Sequence, residues 1–109
     1  MNIKKIIQEN LNIPVIQLFE PILPPCATFY PINDSTGLAG DGKETETLES
    51  LQVDIWDRDR GTLKSRGRKL KAAIMMEENP TTIPEVTYSY DNNGKMWRAM
   101  LTFSVLREE

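Results

Sequence analysis

The chain contains no histidine. Histidine is the side chain that changes charge near neutral pH, and it is a ligand in most zinc sites. Its absence removes histidine-based acid–base catalysis, Ser-His-Asp and Cys-His nucleophile pairs, and most zinc and iron centres. An ordinary enzyme is not expected. There is a single cysteine, Cys26. No disulfide can close within the chain, which excludes a disulfide-stapled secreted scaffold. Cys26 lies in the apolar run Pro25-Cys26-Ala27-Thr28-Phe29-Tyr30. With no histidine and no cationic neighbour to activate it, it reads as a small buried hydrophobe. No apolar stretch approaches the roughly 20 residues of a membrane span. The opening Met1-Asn2-Ile3-Lys4-Lys5-Ile6-Ile7 runs into Gln8-Glu9-Asn10, which breaks a signal-peptide pattern. The expectation is a soluble protein made and used in the cytoplasm.

What is present suits one globular domain over residues 1–109. The mass is 12.5 kDa, 39% of residues are hydrophobic and 27% are charged. A chain of this size buries roughly two-thirds of the surface it exposes when unfolded. The formal net charge is -3, which speaks against a dedicated nucleic-acid or membrane-surface binder.

Periodicity outlines the elements. Ile3, Ile6, Ile7 and Leu11 recur at helical spacing, so residues 2–11 form a short amphipathic helix that Pro14 limits. Val15–Phe19 and Cys26–Ile32 are strand-like, with a loop through Pro21, Pro24 and Pro25 between them. Residues 33–45 are rich in glycine and small polar residues and are expected to form a flexible loop. Gly37, Gly40 and Gly42 fit neither a dinucleotide nor a P-loop spacing. Residues 46–57 form the clearest strand, with Leu51, Val53 and Ile55 alternating with Gln52, Asp54 and Trp56. A helix over about 62–78 follows, its apolar face being Leu63, Gly67, Leu70 and Ile74, with Asn79-Pro80 as the stop. Gly67 on that face allows a neighbour to approach closely.

Val86, Tyr88 and Tyr90 begin a hairpin whose turn, Asp91-Asn92-Asn93-Gly94, is expected to use the positive φ of Asn-Gly. Its second strand sets Trp97, Ala99, Leu101, Phe103 and Val105 on one face. The fold class is α+β: an antiparallel sheet of about five strands, with the N-terminal helix and one longer helix packed on it.

Charge is segregated. Arg58, Arg60, Lys64, Arg66, Arg68, Lys69 and Lys71 fall in residues 58–71 with only Asp59 against them, a local sum of +6. Residues 34–57 carry Asp34, Asp41, Glu44, Glu46, Glu49, Asp54 and Asp57 against Lys43, a local sum of -6. Three readings remain open. The basic helix is a solvated face, or the two blocks are complementary surfaces between copies of the chain, or the basic helix contacts nucleic acid. The last lacks interleaved aromatic residues within the block.

Asp54, Asp57 and Asp59 are hard ligands of the type magnesium or calcium takes. Strand alternation puts Asp57 and Asp59 on one face and Asp54 on the other, so no metal site is expected. Trp56 shares the face of Asp54. It is expected to pack against a helix in the core, or else to anchor an interface.

The run Leu51-Gln52-Val53-Asp54-Ile55-Trp56-Asp57 leading into a basic helix resembles the "V-D-I-W" strand and charged helix of tail completion, or tail terminator, proteins. These belong to the head-tail joining family of long-tailed bacteriophages and phage tail-like particles. Pro25-Cys26-Ala27-Thr28-Phe29-Tyr30 resembles their "P-Y-I-T-F" strand, with Cys26 in place of the aromatic. Arg98-Ala99-Met100-Leu101-Thr102-Phe103-Ser104-Val105 resembles their closing strand, and the likeness spans most of residues 1–107.

The resemblance implies a structural virion protein, assembled in the bacterial host cytoplasm. It would form a homo-oligomeric, hexameric ring that caps the tail tube and joins it to the head-side connector or collar. It implies no catalytic residues, metal or cofactor. The implied partners are the chain itself, the tail tube protein, and connector, collar or sheath proteins. No membrane is implied, and nucleic acid only as DNA passing through a ring lumen. On this reading the subunit interface takes Arg58, Arg60, Lys64, Arg66, Arg68, Lys69, Lys71, Asp34, Asp41, Glu44, Glu46, Glu49 and Trp56. The alternative is a small nucleic-acid-binding or regulatory domain using the basic helix 58–71.

Overall fold

The computed structural model describes residues 2–38, 44–77 and 82–108, with the backbone alone for 33–38, 44–47 and 106–108. Helix α1 spans Ile3–Leu11. The side chain of Asn2 accepts a hydrogen bond from the Lys5 N–H at 3.1 Å, which caps the first turn. The helix ends at Asn12, which takes a left-handed conformation with φ 53° and returns its N–H to the Gln8 carbonyl. Asparagine tolerates that conformation better than most residues. The stripe Ile3, Ile6, Ile7 and Leu11 is buried, as its spacing predicts.

Strand β1 is Cys26–Leu38 and β2 is Glu44–Asp57. Helix α2 is Arg60–Met75, followed by β3 at Glu85–Asp91 and β4 at Met96–Glu108. The four strands form one antiparallel sheet in the order β1-β2-β4-β3. β2 and β3 each run antiparallel to β4. They are therefore parallel to each other, with α2 as the crossover between them and β4 inserted in the gap.

Both helices lie on one face of the sheet. Ile7, Leu63, Leu70 and Ile74 meet Val53, Ile55, Ala99 and Leu101 there, all of them fully buried. Gly67 belongs to the same buried face of α2, where a Cβ would stand 3.0 Å from the Tyr88 hydroxyl. The glycine leaves room there for the Tyr88 side chain of β3.

Several expectations are corrected. Val15–Phe19 is not a strand. Val15 makes one isolated parallel bridge to Ala27, and Phe19 then takes φ 72°. Pro14 has no N–H to extend a ladder, and the positive φ turns the chain away. Among the described residues the sheet therefore has four strands, not five.

Residues 33–38 and 44–45, expected in a loop, belong to strands β1 and β2. The β1–β2 ladder carries them, with irregularities at Pro31/Asn33 and Gly37/Leu38, because backbone pairing outweighs a weak side-chain preference. The expected loop's centre, 39–43, lies outside the described residues.

Helix α2 begins two residues early and ends at Met75. Asp59 caps its start, accepting from the Thr62 N–H at 2.8 Å and the Thr62 hydroxyl at 2.7 Å. Its last turn tightens, with Met76 N–H on the Ala73 carbonyl and Glu77 N–H on that of Ile74. The expected stop, Asn79-Pro80, lies outside the described residues.

The β3–β4 turn also differs. Asp91 pairs with Met96, so four residues bridge the strands, and the positive φ of 52° falls on Lys95 rather than on Asn93. Gly94 leaves room there for the ends of two neighbouring side chains. A Cβ on it would stand 2.6 Å from the Met96 Cε and 2.8 Å from an Asp91 carboxylate oxygen.

Candidate interface surfaces

The buried stripe of α2 fixes where its cations go. Turning Leu63, Gly67, Leu70 and Ile74 inward leaves Arg58, Arg60, Arg68 and Lys69 exposed, with Lys64, Arg66 and Lys71 half-buried. Arg60 lies over the Trp97 ring, 5.4 Å from its centroid, and Lys64 lies over Tyr88 at 5.8 Å. Tyr90 meets Trp97 edge to face at 5.0 Å between centroids. Lys71 lines a shallow depression with Pro84, Glu85 and Val86. One flank of the helix thus lays a basic row beside the edge strand β3. The aromatic residues missing from the basic block in sequence are supplied by β3 and β4. Cations over aromatic faces contribute about 0.5–1 kcal/mol each at exposed sites.

Arg66 is set apart from the row. Its guanidinium bonds the carboxylate of Asp57, which is 8% exposed, and so joins the end of β2 to α2. Among the described residues, Arg58, Arg68, Lys69 and Lys71 have no ion-pair partner.

The acidic block occupies the opposite side of the sheet order. Asp34 is on the edge strand β1, and Glu44, Glu46 and Glu49 are on β2. The register sets Asp34 opposite Glu49, and Glu46 opposite Glu108 on β4. Acidic residues therefore face acidic residues on neighbouring strands. Asp41 lies outside the described residues.

The three aspartates separate. Asp54 is on the face away from the helices and pairs with Arg98 at 2.8 Å. Asp57 is on the helix side. Asp59, expected to share that strand face, instead caps α2, and its bonds from Thr62 hold its carboxyl below the usual range. Among the described residues no group of three or more acidic, histidine or cysteine side chains is placed to hold a metal ion.

Trp56 is buried, but not against a helix. It packs with Cys26, Met96 and Ile16 in a small cluster on the opposite face of the sheet, and Arg98 lies over its ring at 5.5 Å. Strand alternation after the inward-facing Ile55 requires this. Cys26 is buried there too, and desolvation pushes its thiol pKa up.

Sequence reasoning passed over Thr28, Tyr30, Gln52 and Arg98, which gather around Asp54. Alternation places each on the outer face, but only the register between strands shows that they meet. Among the described residues no helix is long and apolar enough to cross a membrane. Compared with protein-family models and with curated proteins, the chain matches none.

Proposed function

We propose that the chain is a structural subunit that associates head to tail with copies of itself in a closed, hexameric ring. The ring caps a phage-type tail tube, beneath a connector or collar. The observation that carries this reading is the separation of unlike charge across one sheet, basic beside β3 and acidic on the half formed by β1 and the interior strand β2. A basic row flanks the β3 edge, and acidic residues concentrate along β1 and β2. A heterologous interface needs two different patches that complement each other, and closes when the rotation allows. Opposite charge guides such docking and sets its register. The resemblance of residues 51–57, 25–30 and 98–105 to tail terminator strands supports the same reading.

The test is native mass by light scattering at low and moderate salt, with and without tail tubes. Hexamers, alone or on tubes, are expected for the native chain. Arg68→Glu with Lys71→Glu should give a folded monomer. A native chain that stays monomeric in every condition would sink the proposal.

A second reading is favoured by the aromatic rings of Tyr88, Tyr90 and Trp97 beside Arg60 and Lys64. Cations interleaved with aromatic faces suit single-stranded nucleic acid. That reading requires binding that weakens steeply as salt rises. Absence of binding at low salt removes it.

A further inference from the structure

Strand β3 ends the sheet order, and among the described residues only β4 pairs with it. An edge strand presents a row of unmet N–H and C=O groups, and native proteins blunt such rows with charge, proline, bulges or a covering segment. The opposite edge, β1, is blunted in three of these ways. Pro31 lies in it, and its register shifts between Pro31 and Asn33. The segment at 14–16 covers it, with Ile16 N–H on the Ala27 carbonyl and Ala27 N–H on the Pro14 carbonyl, both at 2.9 Å.

β3 has none of these devices. Its central residues, Val86, Thr87, Tyr88, Ser89 and Tyr90, include no charge and no proline, and its ladder with β4 runs without a register shift. Ile83, just before the strand, and Tyr90, near its end, are exposed.

A stripe of cations runs beside this edge. Arg60, Lys64 and Lys71 fall within about 40° of one another around the axis of α2. Lys64 lies over Tyr88, and Arg60 lies over Trp97, the strand partner of Tyr90. Lys71 borders Val86 and Thr87. None of the three has an ion-pair partner among the described residues. Four residues of helix advance about 6 Å, and two residues of strand about 7 Å. A strand added to β3 would thus set alternate side chains roughly level with the cations of the stripe.

The two faces of β3 make different demands on such a strand. Val86, Tyr88 and Tyr90 take the helix side, where added side chains meet the cations and should be acidic. Glu85, Thr87, Ser89 and Asp91 take the other face. Acid added there would lie beside Glu85 and Asp91, and like charges on adjacent strands destabilise a sheet. Those positions should be uncharged. A second copy of β1 does not suit, because Pro31 and the segment at 14–16 interrupt its edge.

We propose that β3 accepts, as an added strand, an extended acidic segment of a partner protein, with carboxylates at alternate positions facing α2 and uncharged residues between them. Main-chain hydrogen bonds along β3 hold the segment, and Arg60, Lys64 and Lys71 select its charge. A nucleic acid has no peptide main chain with which to continue the sheet. The surface is complete in one subunit, so the inference does not rest on ring assembly.

The test is an NMR titration of the full chain at low salt with the acetylated, amidated peptide Thr-Glu-Thr-Glu-Thr-Glu-Thr, which matches the 7 residues of β3. Light scattering on the same samples records the oligomeric state, which separates failure of the ring from failure of this site. The peptide should shift the amides of residues 86–90 saturably and slow their hydrogen exchange. A peptide of the same composition with its glutamates adjacent should bind several-fold more weakly. Lys64→Gln with Lys71→Gln should weaken binding roughly fivefold, the effect of two exposed ion pairs. Lys4→Gln with Lys5→Gln, on the exposed side of α1, should leave it unchanged. The proposal is overturned by a non-saturable response, by equal binding of the two peptides, by shifts that miss residues 86–90, or by full affinity in the Lys64 and Lys71 variant. Oligothymidylate that moves the same amides at lower concentration than the peptide overturns it in favour of a nucleic-acid contact. If the Lys64 and Lys71 variant does not fold, the two peptides on the native chain decide.

Discussion

Asp57, the last residue of β2, accepts a hydrogen bond from the Arg66 guanidinium nearly two turns into α2, and another from the Asp59 N–H at 3.0 Å. One carboxylate thus ties the strand end, the connecting turn and the helix together. Asp57→Ala should cost about 2 kcal/mol, below the 3–5 kcal/mol of a fully buried pair because both partners keep some solvent contact. Arg66→Glu should lower the melting temperature of the monomer itself, whereas Arg68→Glu should not. Thermal denaturation of the three variants checks this. Equal melting temperatures would show that the pair contributes nothing.

Gly67 and Tyr88 make opposing demands on the same space. Alanine in a helix interior is better than glycine by about 1 kcal/mol, but its Cβ would stand 3.0 Å from the Tyr88 hydroxyl. Gly67→Ala alone should therefore be close to neutral. In a Tyr88→Phe background, which removes that oxygen, it should stabilise by about 0.5–1 kcal/mol. A denaturant double-mutant cycle measures the coupling, and strict additivity would refute it.

Asp59 links the stability of α2 to acid pH. Bonds from Thr62 lower its pKa in the folded state. A lowered folded pKa gives stability that is present above the unfolded value of about 3.9 and is lost as pH falls through the folded value. Asp59→Asn keeps a capping oxygen but cannot titrate. It should flatten the acid limb of stability against pH while changing little at neutrality. An unaltered acid limb would mean that other carboxylates set it.

Leu70 and Ile74 are fully buried between the helix and the sheet. Either one changed to alanine should cost about 2–5 kcal/mol, with the spread set by how far the site collapses. Urea denaturation gives the value, and a loss under about 1 kcal/mol would contradict the packing.

Cys26 is 1% exposed, and burial raises its thiol pKa. Thiol-reactive dyes should label it in the native protein only at the rate of opening or unfolding, and rapidly in denaturant. Fast native labelling would show that the cluster around Trp56 is open.

The sequence determines those features whose cause is local. The stripe Ile3, Ile6, Ile7 and Leu11, the stripe Leu63, Gly67, Leu70 and Ile74, and the inward set of β4 from Ala99 to Val105 all follow from side-chain period. Each proves buried. Charge segregation is likewise written in the chain. The tertiary structure alone decides what the strands bring together. Asp54 reaches Tyr30 across 24 residues and Arg98 across 44. Lys64 and Arg60 find their aromatic partners on β3 and β4. Val15–Phe19 fails as a strand, and residues 33–38 succeed as one, because a ladder forms only where a neighbour supplies donors and acceptors in register. Period fixes which face a side chain takes within its own element. Register between distant segments fixes which residues it meets there, and no single stretch of the chain contains that information.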